Sequence, residues 1–138
     1  MDPLSITIAT VALAGTVLRR ATVVKDVVVG LRDAPETIND VAEEVQTLHA
    51  VLEAVKRTLR QAPRTFELTR LRSVFAIAVE GCSTTLMCIK EAYDELFGRS
   101  DWKAKLLVLW KHNDMEQLRI RLDSRKATLT LLIQTMNM

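Results

Sequence analysis

The stretch Ile38–Leu59, INDVAEEVQTLHAVLEAVKRTL, decides the fold class. Within it Ile38, Val41, Val45, Leu48, Leu52, Val55 and Leu59 follow one another at alternating spacings of three and four. At about 3.6 residues per turn such a stripe keeps to one side of a helix, and one so continuous buries against partner helices. A strand would need apolar residues at every second position, a pattern this stretch lacks.

Working outward, the prolines mark where neighbouring helices begin. Pro3, Pro35 and Pro63 each suit a first helical turn, where the missing N–H removes no bond. They divide the 138 residues into helices near 3–32, 35–61, 65–97 and 101–137. In the third, Leu68, Leu71, Phe75, Ala78, Cys82, Leu86, Ile89, Tyr93 and Leu96 repeat the helical spacing, and Gly98 is a natural stop. Ser100 reads as the N-cap of a short helix carrying Trp102, Leu106, Leu109 and Trp110. Asn113 to Glu116 has the spacing of a capping box, so the last helix breaks near His112 and resumes through Met115, Leu118, Leu122, Leu129, Leu132 and Met136. The β-branched runs Val23-Val24 and Val27-Val28-Val29 would suit a strand, but they continue an uncharged helical segment and are read as helix. The expectation is one all-α domain over residues 1–138, a four-helix bundle with long helices, the last broken near residue 112. A chain of this length buries a core without staples.

Little in the sequence points to catalysis. Cys82 and Cys88 are too few for a disulfide framework and fit no zinc spacing. On a helix they fall about 600° apart, on different faces, and read as small core or boundary residues in a reducing compartment. Neither His49 nor His112 has a metal-ligand companion, and no Gly-rich phosphate loop, nucleophile elbow or HExxH is present. Asp40, Glu43 and Glu44 would make half of a carboxylate metal site only beside a Glu-x-x-His motif, so a solvated face is the better reading. The expectation is therefore no enzyme: no catalytic residue, no metal, no cofactor and no small-molecule substrate. A net charge of +2 is too small to argue for nucleic acid.

Charge is nevertheless unevenly spread. Glu36, Asp40, Glu43, Glu44 and Glu53 have no base among them, whereas Lys56, Arg57, Arg60, Arg64, Arg70 and Arg72 are opposed only by Glu67. Such a layout suits the solvated surface of a bundle, with a patch for anionic lipid or an acidic partner as the alternative.

The opening helix is the unusual element. Leu4–Leu18 is fifteen residues without a charge. It begins after Asp2 and is followed, not preceded, by Arg19 and Arg20, the wrong order for a secretory signal. At about 22 Å it is shorter than the roughly 30 Å of a bilayer core, unless the span runs on to Val24 with Arg19 and Arg20 snorkelling. A core helix fits better. Ser5, Ala9, Ala12 and Thr16 form a stripe of small residues beside Gly15, flanked by Ile6, Leu13 and Val17 on one side and Leu4, Ile8, Val11 and Leu18 on the other. Close-packed membrane helices use such a face, and so does a central bundle helix crowded by its neighbours. Spacing alone favours the buried core.

Three stretches add a resemblance. DPLSITIATVALAG (Asp2–Gly15), LRDAPETI (Leu31–Ile38) and LDSRKATLTLLIQ (Leu122–Gln134), with its Lys126, Thr128 and Leu129, resemble the fungal HeLo-like domain. This is the N-terminal domain of fungal STAND, NLR-like receptors. It is similar in turn to the HeLo domain of heterokaryon-incompatibility proteins and to the four-helix executioner domain of the mixed-lineage kinase-like pseudokinase. The resemblance implies a module of regulated cell death and innate immunity that homo-oligomerises on activation and is pore-forming at the membrane. The chain would be cytoplasmic at rest and at the plasma membrane when active. It implies that Leu4, Ile6, Ile8, Val11, Leu13, Val17 and Leu18 enter lipid while Ser5, Ala9, Ala12, Gly15 and Thr16 pack helix on helix. Arg19, Arg20, Lys56, Arg57, Arg60 and Arg64 would meet anionic headgroups. The alternative is a soluble homotypic interaction module of an NLR-like receptor, with the first helix never leaving the core.

Overall fold

The structure, a computed structural model, describes residues 2–29, 36–61, 66–104, 106 and 114–136, with the backbone alone at 66–69 and 114. Four long helices follow one another: α1 Pro3–Val28, α2 Glu36–Gln61, α3 Phe66–Phe97 and α4 Asp114–Met136. No strand occurs among the described residues. The all-α bundle is as the periodicity predicts. Arg64, Leu109, Trp110, His112, Asn113 and the break near 112 lie outside the described residues, as do Gly30, Pro35 and most of the LRDAPETI stretch.

Local chemistry sets the helix ends. The Asp2 carboxylate accepts from the Ser5 N–H at 3.3 Å and Pro3 occupies the first turn, so the opening residues cap α1 as well as starting it. Its helical backbone ends at Val28, four residues before the expected 32, with the Val29 N–H returning to the Lys25 carbonyl at 3.1 Å. The stop expected at Gly98 is present: its N–H reaches the Asp94 carbonyl at 2.9 Å and the chain leaves α3 after Phe97. A helical turn then begins at Trp102, so the residue preceding it is Asp101, not the expected Ser100. Trp102 meets Phe97 edge-on at 4.9 Å, and Phe97 stacks on Tyr93 at 6.2 Å.

In cross-section the helices form a ring. α1 packs against α2 and α3, and α4 packs against the same two, so α1 and α4 stand at opposite corners. The consecutive helices α2 and α3 are also diagonal to each other. Side-chain contacts fix the directions. Seven residues separate Val28 from Glu36, so the adjacent helices α1 and α2 run antiparallel, with Gly15 beside His49, and the Arg125 guanidinium of α4 lies over Gly81 of α3. Thr37 meets Glu116 and Glu44 meets Lys126 in the same chain order, which sets α2 and α4 parallel, and Arg20 of α1 pairs with Asp94 toward the end of α3. The Arg72 guanidinium donates to the Leu59 carbonyl at 2.7 Å and closes the last turn of α2 where the chain crosses over. We call this the lower end of the bundle; it holds the start of α1, the end of α2, the start of α3 and the end of α4.

The core follows the stripes closely in α2, where all seven predicted residues are buried, joined by Ala42. Phe75, Ala78, Cys82, Leu86, Ile89, Tyr93 and Leu96 of α3 are buried too, while Leu71 is half-buried and the Leu68 side chain lies outside the description. Met115, Leu118, Leu122 and Leu129 anchor α4, whose Leu132 and Met136 are only half-buried. Cys82 is core, and burial pushes its thiol up to about 12. Cys88, expected in the core or at its boundary, is exposed instead. Two turns beyond Cys82 less one residue, it has rotated out to the solvent side of α3.

The expectation of a crowded central α1 is overturned. In a ring of four helices each presents one inward face, and that of α1 is Thr7, Thr10, Ala14, Val17, Ala21, Val24 and Val28, with Ile6 and Val11 beside it. These seven also alternate spacings of three and four. The small-residue stripe lies elsewhere: Ser5, Ala9 and Ala12 are exposed, Gly15 and Thr16 half-buried. Threonine is tolerated in the seam because each hydroxyl bonds within its own helix, Thr7 to the Pro3 carbonyl and Thr10 to the Ile6 carbonyl, both at 2.8 Å.

Candidate functional site

A surface helix of a globular protein ordinarily carries charge on the side facing water. From Pro3 to Leu18 α1 carries none, although Ser5, Ile8, Ala9 and Ala12 all face solvent and Ile8 is 42% exposed. The structure thus brings the sequence-predicted apolar residues onto two sides. Ile6, Val11 and Val17 are buried; Leu4, Leu13 and Leu18 are half-buried against the core; Ile8 stands outside. Among the described residues two helical stretches are long and apolar enough to cross a membrane by length and composition, Pro3–Val28 and Arg70–Phe97 of α3.

The threonine hydroxyls of α1 need nothing from outside it. Thr16 bonds to the Ala12 carbonyl at 3.2 Å and Thr22 to the Leu18 carbonyl at 2.9 Å, completing the pattern of Thr7 and Thr10. Every threonine of the helix would therefore remain satisfied if its surroundings changed from protein to hydrocarbon. The seam of α1 is also built of smaller residues than that of α2. Its seam offers two threonines, two alanines and three valines, where α2 offers Leu48, Leu52 and Leu59. An alanine at a core position withholds about 2 kcal/mol relative to a leucine, at roughly 0.8 kcal/mol per buried methylene.

The six cations divide. Arg20 is tied to Asp94, which Lys90 also meets at 2.9 Å. Lys56 is tied to Glu53 at 2.9 Å, and its hydrogen bond holds the Glu53 carboxyl below the usual carboxylate range. Arg19 is exposed and, among the described residues, donates only to the Thr16 hydroxyl, at 3.3 Å. Arg57 and Arg60 are exposed with no ion pair among the described residues. Because Gly15 sits beside His49, Ile8 and Leu4 lie level with Lys56 and Arg60, the same distances further along each antiparallel helix. The uncharged start of α1 and the basic end of α2 therefore share the lower end of the bundle.

The acids of α2 are not simply solvated. Glu44 accepts from Lys126, and the Thr37 hydroxyl donates to Glu116 of α4 at 3.3 Å. Arg119 hydrogen-bonds Glu116 and draws its carboxyl below the usual range. Lys126, Thr128 and Leu129, the terminal motif, fasten α4: Lys126 to Glu44, Leu129 into the core, and the Thr128 hydroxyl back to the Ser124 carbonyl. Among the described residues no group of His, Cys, Asp and Glu is placed to hold a metal ion. Sequence reasoning missed the Thr7–Thr10 seam and Asp94. The seam was visible as a run of threes and fours once threonine and alanine are allowed as core residues.

The class defined by these features is a helical-bundle domain with an apolar, half-exposed first helix. The chain belongs to the family described as pigment biosynthesis cluster protein PigL N-terminal, whose model matches residues 1–138. No curated protein and no solved structure matches it.

Proposed function

We propose that this domain is a HeLo-like module of regulated cell death that acts without catalysis, by oligomerising and delivering α1 to the plasma membrane from a cytoplasmic resting state. The observation that carries the reading is the solvent face of α1, uncharged from Pro3 to Leu18. At rest α1 is docked in its corner by the Thr-Ala-Val seam and the Arg20–Asp94 pair. On clustering, Leu4, Ile6, Ile8, Val11, Leu13, Val17 and Leu18 turn to lipid and Ser5, Ala9, Ala12, Gly15 and Thr16 to neighbouring copies, with Arg19, Arg57 and Arg60 at the headgroups. Arg20 and Lys56 join them only after leaving Asp94 and Glu53.

The test is dye release from phosphatidylserine-containing vesicles by the protein and its Ala12→Glu variant. Ala12 is exposed, so the glutamate leaves the bundle intact, whereas Leu13→Glu would strike a half-buried position. A carboxylate near the bilayer centre is disfavoured by about 3 kcal/mol, more than a hundredfold in insertion. Full release by the folded Ala12→Glu protein would defeat the proposal. One observation favours a soluble interaction module instead: Arg57 and Arg60 also suit an acidic protein surface. In that case reversing both charges abolishes complex formation while lipid composition has no effect.

A further inference from the structure

The lower end of the bundle carries a second apolar surface, on the side away from α2. Ile77 of α3 is 71% exposed, Val74 45%, and Leu131 of α4 64%. The contact of Arg125 with Gly81 sets the register of these antiparallel helices. Seven positions from it along each helix lie Val74 and Leu132, so Val74, Ile77, Leu131 and the half-buried Leu132 occupy adjoining levels. The Arg20–Asp94 pair sets the register of parallel α1 and α3, and seventeen positions below it lie Pro3 and Ile77. The patch is therefore at the same end as the uncharged start of α1.

The end of α4 shares the chemistry of that start. From Ala127 to Met136 it has no charge, and Thr128, Thr130 and Thr135 all bond to carbonyls of their own helix, at 3.1, 2.9 and 2.9 Å. Charge at this end is basic: Arg57 and Arg60 of α2 are exposed with no ion pair among the described residues, Lys56 is held by Glu53, and Arg70 and Arg72 open α3, the Arg72 guanidinium on the Leu59 carbonyl. Of the acids there, Asp2 caps α1 and Glu53 is held by Lys56, while Glu80 stands exposed one turn above Ile77. An apolar tip with a basic collar matches an anionic bilayer, whose headgroups attract the collar while the acyl boundary takes the apolar side chains.

We infer that Val74, Ile77 and Leu131 form a second lipid-contacting surface, by which the intact bundle docks end-on on an anionic membrane before α1 leaves its corner. This rests on the membrane reading above and adds a step to it: docking uses α3 and α4, and insertion uses α1. The two steps separate in one experiment. The 138-residue protein, Ile77→Asp, Leu131→Asp and Ala12→Glu are each sedimented with phosphatidylcholine vesicles, with and without phosphatidylserine, and assayed for dye release. All three positions are exposed, and unchanged thermal melting confirms each fold. The expected result is serine-lipid-dependent binding, about tenfold weaker or more in each aspartate variant, and undiminished in Ala12→Glu, which binds without releasing dye. Full binding by both aspartate variants overturns the docking surface, while loss of release in Ala12→Glu still upholds insertion of α1. Absence of both binding and release in the unaltered protein overturns both. Sedimentation without lipid covers the other occupant: a dimer that Ile77→Asp or Leu131→Asp converts to monomer makes the patch an interface between copies and overturns the lipid assignment.

Discussion

Replacing Thr7 and Thr10 by valine tests what the two threonines contribute to the α1 seam. Both residues are buried, 0% and 2% exposed, and each hydroxyl donates to a carbonyl that the helix already uses. Valine keeps the β-branched shape and removes the hydroxyl. Back-bonding of such a hydroxyl to the i−4 carbonyl slightly destabilises a helix, and a methyl group buried in its place adds about 0.8 kcal/mol. Each substitution should thus stabilise by roughly 0.5–1.5 kcal/mol. The two sites lie one turn apart and share neighbours, so about 1–2 kcal/mol is expected for the pair. For a chain of this size that raises the thermal midpoint by about 3–8 °C. Because the gain is confined to the docked state of α1, the undocked population falls about five- to thirtyfold. Circular dichroism melts and vesicle dye release on the same samples measure both quantities. A double-valine protein that melts lower would show that the hydroxyls hold the seam. One that melts higher yet releases dye at the original rate would show that undocking of α1 is not the controlling step.

Two further expectations concern the core and the α2–α4 seam. Native protein should titrate one thiol with a disulfide reagent and denatured protein two, since Cys88 is exposed while Cys82 is buried with its thiol pushed up to about 12; two fast thiols in the native state would contradict the packing of α3. Glu116, whose carboxyl Arg119 and Thr37 hold below its ordinary 4.5, contributes stability that is complete above that pH and lost as the pH falls through its lowered folded-state value. The urea midpoint of Glu116→Gln should therefore lie below that of the parent at neutral pH and converge on it in acid, and a gap that widens in acid would reverse the assignment.

The sequence made the fold legible where side-chain chemistry marks inside from outside. In α2 every inward position but Ala42 is Ile, Val or Leu and most outward positions are polar, so the stripe is unambiguous. In α1 the outward face is Ser, Ile and Ala and the inward face includes threonine, so no polarity contrast marks the seam. Small residues at close spacing looked like a contact face, yet Ser5, Ala9 and Ala12 are in solvent. The cations show a different limit. Nothing in the local sequence around Arg20 announces Asp94, more than seventy residues away, so paired and unpaired arginines look alike until α1 and α3 are placed side by side. Lys126 illustrates the converse, since a residue noticed as part of a motif proves to be a fastening between α4 and α2.

The diagonal placement of α1 and α4 has a mechanical consequence. Removing α1 leaves three helices in a row, with α4 in the middle, tied to α2 through Lys126 and Glu44 and packed on α3 along the Gly81–Arg125 register. A torque applied at the C-terminal end of α4 reaches α1 only through α2 and α3, its two flanking supports. Spreading that pair widens the corners of α1 and α4 alike, so a twist of α4 is carried to both flanks of α1 at once.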